Sequence, residues 1–94
     1  KLFRDSTGIF VGDAAGGRLR GSGSFSSADA TIADSTISAT YLDSPSSTSA
    51  VTYKWQIVCA AGGNTGFINR TEHDANEAGQ IRMASTITVM EIGA

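Results

Sequence analysis

An all-β fold class is what this sequence predicts, from three observations. Apolar residues alternate with polar ones over short stretches, as on a strand buried on one side. Gly, Ser, Asn and Asp punctuate those stretches at close intervals. No segment carries a convincing helical period. Residues 72–84 come nearest, but Gly79 interrupts them and apolar residues do not recur at i, i+3 and i+4 before it. At most one helical turn is expected there. Short strands joined by such turns indicate a sandwich or a barrel-like fold.

The elements follow in order. Leu2-Phe3-Arg4 and Ile9-Phe10-Val11 flank Asp5-Ser6-Thr7-Gly8, a composition suited to tight reversal, so a small hairpin is expected. Glycine-rich residues 12–23 predict a long loop. Ile37, Ala39 and Tyr41 alternate with Ser38 and Thr40 as a half-buried strand, which Asp43-Ser44-Pro45 ends. The clearest strand runs over 51–59, with Val51, Tyr53, Trp55, Ile57 and Cys59 on one face. A slip of one residue would turn Lys54 and Gln56 inward, so its register is strongly specified. Residues 62–66, Gly-Gly-Asn-Thr-Gly, make a hairpin-grade turn, and Phe67-Ile68-Asn69 a short return strand. The last strand, 85–92, has Ile87 and Val89 on one face and Met90 and Ile92 on the other. Apolar residues on both faces suit a central strand, or one whose outer face meets another subunit.

Size and composition narrow the function. A chain of 94 residues has room for one domain and is marginal alone without a staple. Cys59 is the single cysteine and His73 the single histidine, so neither an intrachain disulfide nor a zinc cluster is available. Association with further copies is the remaining source of stability. Net charge is −2 with no Lys/Arg run, which argues against a nucleic-acid footprint and a polybasic membrane surface. The apolar stretches are too short to span a bilayer as a helix, so no membrane insertion is expected. The start within an apolar segment, Lys1-Leu2-Phe3-Arg4, and the finish in the run Ile87 to Ile92 suggest a fragment, or the C-terminal end, of a longer polypeptide.

Nothing in the sequence supports catalysis. Arg70-Thr71-Glu72-His73-Asp74 is the one dense polar cluster. On an extended segment Glu72 and Asp74 would face away from His73, so a solvated loop is the better reading than a metal site. Cys59 at an apolar-face position reads as a small hydrophobe, since a reactive thiolate needs a base or cationic neighbour. No Gly-x-Ser-x-Gly elbow occurs. Gly12 to Gly17 lacks the Lys-Ser/Thr ending of a phosphate loop. Asn69-Arg70-Thr71 matches a glycosylation tripeptide, a pattern that chance supplies often. Tyr53 and Trp55 read as core rather than as sugar-stacking platforms. The arginines are dispersed singly. A carbohydrate-active domain attached to a hydrolase would need a convergent carboxylate pair, and none can be assembled. No cofactor is implied.

Six segments carry a resemblance: Leu2-Phe3-Arg4-Asp5-Ser6-Thr7; Val11-Gly12-Asp13-Ala14-Ala15-Gly16; Tyr41-Leu42-Asp43-Ser44-Pro45; Ala50-Val51-Thr52-Tyr53-Lys54; Phe67-Ile68-Asn69-Arg70-Thr71; and Ala84-Ser85-Thr86-Ile87-Thr88-Val89-Met90-Glu91-Ile92. In this order they resemble the C-terminal heads of bacteriophage tail fibres and related virion proteins of marine and environmental phages. The likeness spans nearly the whole chain and is weakest over 16–35.

The resemblance implies an antiparallel β-sandwich, jelly-roll-like and incomplete on its N-terminal side, with residues 1–94 forming one domain or the C-terminal part of one. It implies a homotrimeric head on the virion, contacting other virion proteins, with loops that bind a host-surface glycan or outer-membrane protein. Those proteins share no catalytic residues. Loops on a rigid scaffold carry binding, so 16–35 and 70–82 are the candidate host-binding loops, with Arg18, Arg20, Phe25, Arg70, His73, Asp74 and Asn76 as the residues to follow. The alternative is a capsid decoration or fibre-trimerising protein with no ligand.

Overall fold

A computed structural model describes residues 1–24, 35–60 and 62–93. Three short strands form its sheet: β1 (Leu2–Arg4), β2 (Thr7–Ile9) and β3 (Tyr53–Trp55). The order is β2-β1-β3 and both pairings are antiparallel. Among the described residues there is no helix, so the all-β expectation holds at this level.

The first hairpin is where the sequence places it, but tighter. Arg4 pairs with Thr7 across a two-residue loop, Asp5-Ser6. Asp5 takes φ 51°, a left-handed conformation that Asp tolerates better than most side chains and that two-residue hairpins require at this position. The return strand therefore begins at Thr7, and Phe10 and Val11 fall outside it. Asp5 also secures β3. Its amide donates to the Thr52 carbonyl (2.7 Å), and its Oδ1 accepts from the Thr52 amide (2.9 Å). At the other end the Lys1 amino group donates to the Gln56 carbonyl (2.8 Å), and the Gln56 amide donates back to the Lys1 carbonyl (2.9 Å). The Ser22 hydroxyl closes the open end of the hairpin, accepting from Leu2 N (2.9 Å) and donating to the Ile9 carbonyl (3.2 Å).

The registers put Leu2, Arg4, Thr7, Ile9, Tyr53 and Trp55 on one face and Phe3, Gly8 and Lys54 on the other. The second face is wet: Lys1 and Lys54 hold their ammonium groups 5.7 and 5.9 Å from the Phe3 ring centroid. The first face carries the core, in which Leu2 and Ile9 are the buried apolar residues. Residues 37–43 are held at three points. Ile37 lies against Gly23, Tyr41 stacks on Phe10 (5.0 Å between centroids), and Asp43 reaches the core face of the sheet. There Arg4 Nη1 donates to both carboxylate oxygens of Asp43 (2.7 and 2.8 Å), while the Tyr53 hydroxyl donates to Oδ2 (2.7 Å). One carboxylate thus fixes β1, β3 and the 37–43 segment to one another.

Several expected strands are not paired. Only 53–55 of the 51–59 alternation is strand, and 37–41, 67–69 and 85–92 are irregular. Alternation shows which side chains can share a face; a strand also needs a continuous ladder to a neighbouring backbone, and among the described residues these segments make only isolated backbone bonds, such as that from the Met83 amide to the Asn69 carbonyl. The burial expected of the 51–59 face is also incomplete. Cys59 is exposed, and Trp55 and Ile57 remain 38% and 37% exposed. A turn is present at Gly62 and Gly63, with Gly63 at φ 84°, but among the described residues no strands flank it as in a hairpin. A β-carbon on Gly66 would lie 2.7 Å from Ile57 Cδ1, so a larger residue there would require the Ile57 side chain to move.

The surface is large for the mass. It amounts to 7659 Å², where a folded monomer of 9.7 kDa exposes about 5,100 Å². The Cα radius of gyration is 16.1 Å, against about 12 Å for a compact chain of this length. Much of the excess is apolar: Leu42, Ile68, Val89, Met90 and Ile92 are each at least 60% exposed.

Candidate functional site

The loop over 70–82 is closed by its own hydrogen bonds. Its ends are drawn together by Asn69, whose carbonyl accepts from the Met83 amide (2.9 Å) and whose Oδ1 accepts from the Ser85 hydroxyl (2.7 Å). Asn69 takes φ 61° and Asp74 φ 50°, so the segment coils rather than extends. Thr71 lies at its centre and is 2% exposed. Its hydroxyl donates to Gln80 Oε1 and accepts from the Asp74 amide. Short closed loops packed by their own side chains are frequent carriers of function.

Asp74 is the electrostatic centre. Arg82 grips it in a fork, Nε to Oδ1 and Nη2 to Oδ2 at 2.6 Å each, and Arg70 Nη1 adds a third contact at 3.2 Å. Arg70 also lays its guanidinium over the Phe67 ring, 4.5 Å from its centroid. With both oxygens engaged, Asp74 serves as a strut; acting as a base or a metal ligand would break its ion pairs. Beside it lies an open polar groove of about 300 Å³, lined by Asp74, Ala75, Asn76, Glu77, Gln80 and Arg82.

The expected site residues divide accordingly. Arg70 and Asp74 are joined directly, and Asn76 shares the groove with Asp74. His73 is exposed on the same loop. Arg18 and Arg20 are exposed in the glycine-rich segment, where the Arg20 guanidinium donates to the Gly12 carbonyl of its own loop. Phe25 lies outside the described residues, as does half of the 16–35 loop. Among the described residues no three His, Cys, Asp or Glu side chains gather as metal ligands. Sequence reasoning missed Arg82, Gln80 and Thr71 as partners, because contacts eight or nine residues apart in an irregular loop follow no period.

Both structural carboxylates titrate low. The Tyr53 hydrogen bond is the largest influence on Asp43; partial burial opposes it, and the bond and charge of Arg4 add to the lowering. For Asp74 the Arg82 hydrogen bond leads, burial opposes, and the charges of Arg82 and Arg70 reinforce it. The same Asp43 contact raises the Tyr53 phenol. A depressed carboxyl stabilises the fold fully above its unfolded value of about 3.9, and this is lost as pH falls through the folded value. Tyr53 has the opposite sign: its contribution holds below about 10 and is lost as pH rises through the folded value. Carboxyl carbon shifts followed by NMR should therefore place Asp43 and Asp74 below the same residues in an unfolded peptide. Coincident titrations would contradict the two ion-pair assignments.

No family model matches the chain, and no curated protein or solved structure matches it.

Proposed function

We propose that this chain is a structural virion protein of a bacteriophage, acting as part of a tail-fibre head that binds the host surface. In this reading it belongs to an antiparallel, jelly-roll-like sandwich completed by other segments and by further copies, as a homotrimer. The observation that carries it is the small core beside a large exposed apolar surface, with Val89, Met90 and Ile92 61%, 81% and 77% exposed. Exposed apolar side chains in such number favour a protein interface. The ordered resemblance of six segments to fibre heads supplies the particle. The 70–82 loop supplies a binding edge of hydrogen-bonding groups suited to a glycan or a polar protein surface, and trimeric display would turn weak contacts into avidity.

The second reading is a capsid decoration or a fibre-trimerising part with no ligand. It is favoured by the engagement of Asp74 and Arg70 within their own loop. Electron microscopy of virions labelled with antibody against this chain tests both. Label at the fibre tips is the expected result. Label over the capsid would replace the first reading with capsid decoration, and virions without label would overturn both.

A further inference from the structure

Two segments with strand character lack a partner, and their chemistry is complementary. Beyond Ser85, which is tied to Asn69, residues 86–93 are exposed and irregular. This stretch is rich in β-branched residues and contains no proline, a composition that favours pairing. The other segment is β3, the edge of the sheet. Thr52 and Gln56 direct their backbone groups to β1, so Tyr53 and Trp55 direct theirs outward by the parity of the ladder. Among the described residues no backbone group bonds to that outer edge. An open row of this kind is a template for another chain. The charges agree as well. Lys54 is the only charged residue between Asp43 and Arg70, and Glu91 is the only one after Arg82.

We propose that residues 86–92 of one copy add as an antiparallel strand to the free edge of β3 in a second copy, with Glu91 opposite Lys54. This rests on the reading of the chain as a self-assembling protein and names the contact. The charge pair selects the register and parity sets the faces. Glu91 joins the wet face with Lys54, while Met90 falls opposite Trp55 and extends the apolar face. The sheet stays purely antiparallel, the arrangement of its existing strands. The surface in excess of a compact monomer, about 2,500 Å² per chain, is ample beside the roughly 800 Å² that each partner gives to a standard interface.

The same register sets Thr86 opposite Cys59, the single and exposed cysteine. Hydrogen-bonded antiparallel pairs hold their Cα atoms about 5.5 Å apart, within disulfide range. Mild oxidation of the Thr86→Cys variant should give covalently joined copies on a non-reducing gel. The wild type and the Thr86→Cys, Cys59→Ser double variant should give none. A link within one chain, equal linking in the double variant, or no link in a protein whose native mass shows an assembly would each overturn the strand exchange while leaving self-assembly standing. Absence of any assembly would overturn both. Charge reversal gives an independent check: Lys54→Glu or Glu91→Lys alone should weaken assembly several-fold, and the two together should restore most of it. A double variant as weak as the sum of the two losses would overturn the register.

Discussion

Leu2→Ala lowers the thermal midpoint of the chain by more than about 10 °C, read by far-ultraviolet circular dichroism. Leu2 sits in the central strand, between Ile9 and Trp55, and only it and Ile9 are buried apolar residues among those described. Truncating a buried leucine costs about 2–5 kcal/mol in the lost transfer energy and the residual cavity. Each kcal/mol moves the midpoint of a chain this long by roughly 4–8 °C. With a core this small there is little other packing to compensate. The matched control is Leu19→Ala: Leu19 is 64% exposed, and its truncation should change stability by less than about 0.5 kcal/mol. Equal, small losses at both positions would show that the Leu2 face is not the core.

Replacing Met90 and Ile92 together by Asp has the opposite character. Both side chains are largely exposed, so the chain's own fold should keep its spectrum and its midpoint at high dilution. Self-association should weaken by about a hundredfold or more, because each substitution removes apolar burial of about 1.5–3 kcal/mol and places a carboxylate where the interface is dry. Sedimentation velocity across a concentration series reads the shift directly. If the wild type and the variant associate alike, the C-terminal segment takes no part in the contact.

Local features of this architecture were legible in the sequence, and non-local ones were not. The first hairpin could be read because two apolar triplets flank a turn composition. It came out displaced by two residues because Asp5, rather than a residue nearer Gly8, takes the left-handed position. The turn at 62–66 was legible for the same reason. Pro45 marks where the 37–43 segment must end, yet nothing in its spacing says that Asp43 will join Arg4 and Tyr53. Alternation over 51–59 and 85–92 identified side chains able to share a face, while the backbone partner of a strand lies far away in sequence or on another molecule. Cys59 stays exposed, and so does Trp55 although it pairs with Leu2 in the sheet. In the candidate loop Arg70-Thr71-Glu72-His73-Asp74 stood out as a polar cluster, whereas the Arg82 fork and the burial of Thr71 depend on a coil with two positive-φ residues, Asn69 and Asp74.

The central claim is that other copies complete this chain's core, and the mass of the assembly at low micromolar concentration tests it most directly. Native mass spectrometry should find a species of three times 9.7 kDa, with little monomer. A monomer that stays single at every concentration and unfolds cooperatively would contradict the account.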